Sequence, residues 1–273
     1  MTTFVFYHHP CPDGTAAALA AYLKYGDEAT YCPINYKDAL PEIPPDADVF
    51  FLDFSLPRAQ LDALAARVRS VVVLDHHKTA QADLADFPGA LFDMTKSGAV
   101  LAWEYFHPNL PVPELFKYVQ DRDLWRWEFG RATKYVGAYL YAGPLTIESY
   151  GLTMNEMERD STKIFITGKI LQEAQEANVE LMIAKSFLTQ VDIYTVPVVN
   201  TLLLQSEVCE RLLELHPEAP FAAAFYQIGD IERWSLRSRG SFDVSTVGEK
   251  FKGGGHKGAA GFVRPAMNRV WDV

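Results

Sequence analysis

SVVVLDHH, residues 70–77, runs through four β-branched or leucine residues and stops at an aspartate and two histidines. The apolar run predicts a strand, and the residues that end it are of the types that bind divalent cations. Working outward, the same arrangement recurs in FVFYHHPCPD (4–13) and VFFLDF (49–54). Between and after these runs lie TAAALAAYLKYG (15–26), LPRAQLDALAARV (56–68) and SGAVLAWEYF (97–106), each with apolar residues at three and four spacing. With ATYCPI (29–34) and ALFDM (90–94) as further strands, the alternation predicts an α/β domain built on a largely parallel sheet with helices flanking it.

In such sheets ligands bind beyond the carboxyl ends of the strands, where several loops converge. If the three strands ending in Asp and His lie side by side, His8, Asp13, Asp53, Asp75, His76 and His77 crowd one rim. Singly, Asp13 has an ordinary explanation as a helix cap and Asp53 as a turn residue. Together they point to a cation, because clustered carboxylates repel one another unless something positive neutralises them. DRDLWRW (121–127), at the end of the helical segment PVPELFKYVQ, is a fourth contributor. Imidazole and carboxylate donors with one thiol, Cys11, suit manganese, magnesium or iron better than a cysteine-rich structural zinc.

Farther along, residues 153–190 read as a helical connector loosened near Gly168, and 191–273 as a smaller α/β domain with a mixed sheet. Its strands are YTVPVVN, FAAAFYQIG and ERWSLRSR. The metal-binding domain is then expected at 1–152. The 273 residues are 49% hydrophobic, enough for a sizeable core, and the formal net charge is −10. That charge gives no footprint for gripping long nucleic acid, whose affinity comes from many Lys and Arg contacts to phosphates. Three widely spaced cysteines at 11, 32 and 209 fit a reducing compartment rather than a disulfide framework. No run approaches the roughly 18 apolar residues of a membrane span. The expectation is a cytoplasmic protein without membrane partners, and nothing in the sequence indicates an oligomer.

These motifs, in this order, resemble the DHH phosphoesterase superfamily. VLDHHK (73–78) carries the Asp-His-His signature, HHPCPDG (8–14) resembles the first motif, FLDFS (51–55) the second and DRDLW (121–125) the last aspartate motif. SLRS (235–238) and DVSTVGEKFKGGGHKGAAGF (243–262) resemble the DHH-associated domain that follows the catalytic domain. The resemblance implies two divalent metal ions, most often manganese, and a water activated between them. It implies that Asp53 bridges both ions, that His8 serves one, and that Asp13, His76 and Asp121 complete the other. Asp75 would orient His76, and His77 would face the substrate phosphate. The first motif is one or two residues shorter than usual, which leaves His8 or His9 as the ligand. Cys11 stands where a further carboxylate is common, as a ligand or a neutral neighbour.

In the second domain the resemblance assigns substrate binding to Arg237, Ser238, Gly253, Gly254, Gly255 and His256. Glycine amides would aim at an anion while Arg237 makes a two-pronged phosphate contact. The implied activity is a phosphodiesterase acting on very short nucleotides, such as di- to oligoribonucleotides, linear dinucleotides or a nucleoside bisphosphate. The implied partner is therefore a small phosphorylated nucleotide. The alternatives are a polyphosphate or pyrophosphate phosphohydrolase and a catalytically decayed nucleotide sensor.

Overall fold

A computed structural model describes residues 2–35 and 38–266. The chain divides into two compact units, Met1–Gln172 and Glu173–Val273.

The first unit opens β1 (Thr3–His8), α1 (Pro12–Tyr25), a 3-10 turn (Gly26–Glu28), β2 (Ala29–Ile34), β3 (Asp48–Leu52), α2 (Arg58–Ala65), β4 (Ser70–Asp75), α3 (Lys78–Asp83), β5 (Ala90–Phe92) and α4 (Gly98–Phe106). The helices α5 (Glu114–Asp123), α6 (Arg131–Ala142), α7 (Ile147–Asp160) and α8 (Thr162–Ile183) follow. The five strands form one sheet in the order β2-β1-β3-β4-β5, and every neighbouring pair is parallel. Successive side chains of a strand leave on opposite faces, so each central strand feeds two cores. Val5, Tyr7, Phe50, Leu52 and Leu74 pack with the buried faces of α1, α4 and α5. Phe4, Phe6, Val49, Phe51, Val71 and Val73 pack with Leu61 and Leu64 of α2 on the other side. Burial of such a side chain stabilises by about 1.5–3 kcal/mol. Ala16 to Ala21 of α1 are fully buried with Leu19, so neighbouring helices close over it tightly.

The second unit contains β6 (Phe187–Val191), β7 (Tyr194–Asn200), α9 (Gln205–Leu215), β8 (Phe221–Ile228), β9 (Ile231–Ser238), α10 (Ser245–Lys250), β10 (Gly254–Gly255) and β11 (Ala259–Pro265). Its sheet has the order β10-β11-β9-β8-β7-β6 and is mixed, because β7 and β8 pair in parallel across α9 while the other pairs are antiparallel. The expected fold class, a parallel α/β sheet followed by a smaller mixed one, is the one observed.

The connector differs from its sequence reading. The helical stretch begins at Ile147, and its interruption falls at Ser161, not at Gly168. Gly168 lies inside α8, where an added Cβ would sit 2.1 Å from the Tyr135 carbonyl oxygen, so the glycine serves close packing against α6. The boundary between the two units lies within α8, and residues 187–191 form a strand of the second sheet. The last part of the expected second domain, residues 267–273, lies outside the described residues. Among the described residues no helix is long and apolar enough to cross a membrane.

Candidate metal centre

The carboxyl ends of β1, β3 and β4 bring the sequence-predicted residues of the first unit together, with the exception of Asp121. His8 is the last residue of β1, Cys11 precedes α1, and Asp13 lies in the first turn of that helix. Asp53 follows β3 directly and takes a left-handed backbone, φ +52°, a region Asp tolerates better than bulkier residues. Asp75 closes β4, and His77 caps α3. Asp13, Asp53, Asp75 and His76 are all buried.

His76 Nε2 is ringed by three carboxylates, 3.2 Å from Asp53 Oδ1, 3.5 Å from Asp123 Oδ2 and 3.6 Å from Asp13 Oδ2. Burial pulls the His76 pKa down, but its hydrogen bond to Asp53 and the charges of Asp123, Asp53 and Asp13 raise it to about 10. A proton on this ring therefore partly neutralises the cluster. Burial together with the charges of Asp123 and Asp53 pushes the Asp13 carboxyl well above its ordinary range. Asp53 goes the other way: burial opposes ionisation, yet the hydrogen bonds of His76 and His8 hold its carboxyl far below the usual value. The other oxygen, Asp53 Oδ2, is buried without a well-formed hydrogen bond and has His8 Nδ1 at 3.4 Å. One carboxylate oxygen thus faces His8 and the other faces His76.

These residues fit cations. Donor atoms bonded to one ion at roughly 2.1 Å lie about 3.0–3.4 Å from one another. The separations around His76 Nε2, 3.2 to 3.6 Å, lie at or just above that spacing, and an under-coordinated buried carboxylate oxygen is what such an ion would satisfy. Within the first unit three donor sets have their atoms within 4.8 Å of one another: Asp13, His76 and Asp123; His8, Cys11 and Asp53; and Asp53, Asp75 and His77, the last already joined by the Asp75–His77 hydrogen bond, which leaves the first two for ions. Burial first, then the charges of Asp53, Asp13 and Asp123, raises the Cys11 thiol well above its usual pKa. His9, the alternative to His8, has its Nδ1 buried without a partner and is in neither donor set.

Two expectations are corrected. Asp121 is buried away from the donor sets: its carboxylate accepts hydrogen bonds from Glu128 N (2.8 Å), Phe129 N (3.2 Å) and the Thr133 hydroxyl. It folds the turn in which Trp125 and Trp127 both take left-handed backbones, and the donor expected of it comes from Asp123. Asp121→Ala is expected to cost about 2–4 kcal/mol of stability through the stranded donors while leaving cation stoichiometry intact. Asp123→Ala should do the reverse, weakening cation binding with little change in melting temperature. Calorimetric metal titration and thermal melts on both variants check this, and equal behaviour would refute the reassignment.

The second correction concerns Asp75. Its Oδ1 accepts from His77 Nδ1 at 2.6 Å and from the backbone amides of His76 and His77, so the imidazole it orients is that of His77. Burial lowers the His77 pKa, but the charge and hydrogen bond of Asp75 outweigh it and raise the value to about 9.

The sequence pattern places this helix at 97–106 but does not show that the start of α4 holds Asp13. Asp13 does not cap its own helix; it accepts from Gly98 N (2.6 Å) and Ala99 N (3.0 Å), using both oxygens on the N-terminus of α4. Ser97 caps the same helix through Val100 N, and its own amide donates to Gln120 Oε1. The signal was the Ser-Gly pair at the head of the SGAVLAWEYF helix.

In the second unit, Arg237 donates to the Leu236 carbonyl (2.8 Å) and to Ser206 Oγ (2.7 Å). The Ser238 hydroxyl is directed at the carbonyls of Phe242 and Lys257, both at 2.9 Å. Gly254 and Gly255 form β10 against β11, and the amides of Gly253 and His256 donate to Gly248 O and Ala259 O. Gly254 and Gly255 therefore build a short strand, and the amides of Gly253 and His256 on either side of it are committed to Gly248 and Ala259.

No protein-family model matches the chain. An uncharacterized protein of Acanthamoeba polyphaga mimivirus is 28% identical over 94% of the chain, which spans 66% of that relative's length. Among solved structures, a DHH domain described as a member of the s1p family of ribosomal proteins covers 97% of the chain and 82% of its own length, at TM-score 0.59 and 12% identity. A pGpG-specific phosphodiesterase of Vibrio cholerae covers 97% and 94%, at 0.53 and 13%. Exonuclease RecJ bound to manganese covers 96% and 85%, at 0.50 and 18%. These likenesses show a shared fold: the chain is folded like a DHH domain and like these two enzymes.

Proposed function

We propose that this chain is a metal-dependent phosphoesterase that hydrolyses very short nucleotides. The observation that carries the reading is Asp53, a buried carboxylate that turns one oxygen to His8 and the other to His76 between two donor sets. His8, Cys11 and Asp53 would hold one divalent cation, and Asp13, His76, Asp123 and Asp53 a second. When bound, such a pair supplies an activated water and offsets charge on the phosphoryl oxygens.

The chain's own residues do the rest. Asp13 is fixed by two α4 amides, so its carboxylate is held in place before a ligand arrives. Asp75 fixes the His77 ring through Nδ1, which leaves Nε2 to face the phosphate of the substrate. Manganese is the first choice of metal for the Asp13, His76 and Asp123 set, in line with the ion that the RecJ structure holds.

Short substrates are favoured over long ones by the net charge of −10, which disfavours a long polyanion. The fold shared with a pGpG-specific phosphodiesterase is in keeping with a dinucleotide. Within the second unit, Arg237, Ser238 and His256 remain the candidates for holding a terminal phosphate. The test is turnover, with manganese, of a 5′-phosphorylated diribonucleotide, a nucleoside 3′,5′-bisphosphate, polyphosphate and a long single strand. The diribonucleotide or bisphosphate should be preferred. Preference for polyphosphate would overturn the substrate assignment, and no turnover of any would overturn the enzyme.

A further inference from the structure

The two donor sets are chemically unlike. Asp13, His76 and Asp123 offer two carboxylate oxygens and one imidazole nitrogen, whereas His8, Cys11 and Asp53 offer a nitrogen, a sulfur and an oxygen. Carboxylates suit hard cations such as magnesium and manganese, and thiolate selects softer ones. The thiol is placed to count. Cys11 precedes α1 with its backbone extended, φ −144° and ψ 131°, and the Gly14 amide at the head of the helix interacts with its sulfur. Its sulfur lies within 4.8 Å of the donor atoms of His8 and Asp53. It is half-buried beside an Asp53 oxygen that lacks a well-formed hydrogen bond.

We propose that the chain builds a mixed cation pair, in which His8, Cys11 and Asp53 select a borderline or soft divalent ion such as zinc, cobalt or ferrous iron, while Asp13, His76 and Asp123 take a hard one. The inference rests on the metal-centre reading given above and adds the division of labour within it. On binding, the ion forms a bond to Sγ and the thiol proton leaves to solvent. Asp53 is the shared donor, so filling the sulfur-containing site also removes the negative charge that His76 otherwise neutralises.

The test uses the full chain, stripped of metal and titrated anaerobically with cobalt(II). A near-ultraviolet thiolate-to-cobalt charge-transfer band is expected with the first equivalent, and visible ligand-field absorption should continue to grow through the second. In parallel, peptide-resolved alkylation should show Cys11 protected at least tenfold by one equivalent of zinc and unprotected by excess magnesium, with Cys32 unchanged under both. Cys11→Ser, close to isosteric, should lose the band, and Cys11→Asp should lose it while the preference for zinc over magnesium falls at least tenfold.

Two equivalents of cobalt bound without the band, or Cys11 alkylated at the same rate with and without zinc, would overturn the mixed pair and leave the phosphoesterase reading standing. Failure to bind cobalt at all would overturn both.

Discussion

Asp53→Asn is expected to reduce phosphoesterase turnover by roughly a thousandfold or more, since several kcal/mol of charge stabilisation depend on the cation pair. The amide keeps the shape of the carboxylate, so the left-handed turn after β3 survives, but it removes the charge that serves both donor sets. Metal stoichiometry measured by calorimetry should fall from two ions to one at most. The metal-free variant should still fold, because Asp13 and Asp123 remain beside His76 and both cores are untouched. Near-wild-type circular dichroism alongside lost turnover is the expected pair of results. Two ions bound with unchanged affinity would refute the bridging assignment.

Gly98→Ala should have the second-largest effect, although position 98 holds no donor. A Cβ there would lie 2.5 Å from Asp53 Cβ, 2.9 Å from Asp53 Cα and 3.0 Å from Asp13 Oδ2. Two of these atoms belong to one residue whose backbone is already left-handed, so it has little freedom to retreat. The helix start must move instead, taking with it the two amides that hold Asp13. Overpacking of this kind costs about 1–3 kcal/mol, and disturbing the groups behind a ligand typically costs 10–100-fold in metal affinity. Thermal melts and metal titration should therefore both shift. A variant that melts lower but binds metal as the wild type does would mean that Asp13 follows the helix without losing its geometry.

Much of this was legible in the sequence because β-strands ending in ligand-type residues carry a local signal. The runs 4–13, 49–54 and 70–77 placed β1, β3 and β4 and put His8, Asp53 and His76 on one rim. Asp121 and Asp123 show where local signal fails. They are two residues apart at a helix end, on faces about 200° apart, and the motif does not say which one points to the site. The apolar stripe of α5 did hold the answer: Asp121 falls three residues after the buried Tyr118, on the inward face, where a carboxylate needs donors of its own. Those donors come from the turn that follows. Asp75 poses a similar problem at shorter range, since adjacent side chains diverge and the residue two places on, His77, is the one on its side. Asp13 was readable only as a cap, because the helix it caps lies 85 residues further along and no periodicity connects the two.

The strand order of the first sheet has a consequence for which residue can act as the bridge. β3 lies between β1 and β4, so the residue that follows it is the one with a neighbour on each side, His8 to one and His76 to the other. Adjacent strands are about 4.8 Å apart, close to the 3.5–4 Å between the ions of a typical pair. The spacing of the sheet would then bring the donors of the proposed ion pair within reach of one shared carboxylate. Sharing is a property of the middle position, and a circular permutation that kept β1, β3 and β4 in this order should keep the bridge wherever the chain is cut. Exchanging the aspartate of the middle strand with a ligand from either flank would keep every donor type and still lose it.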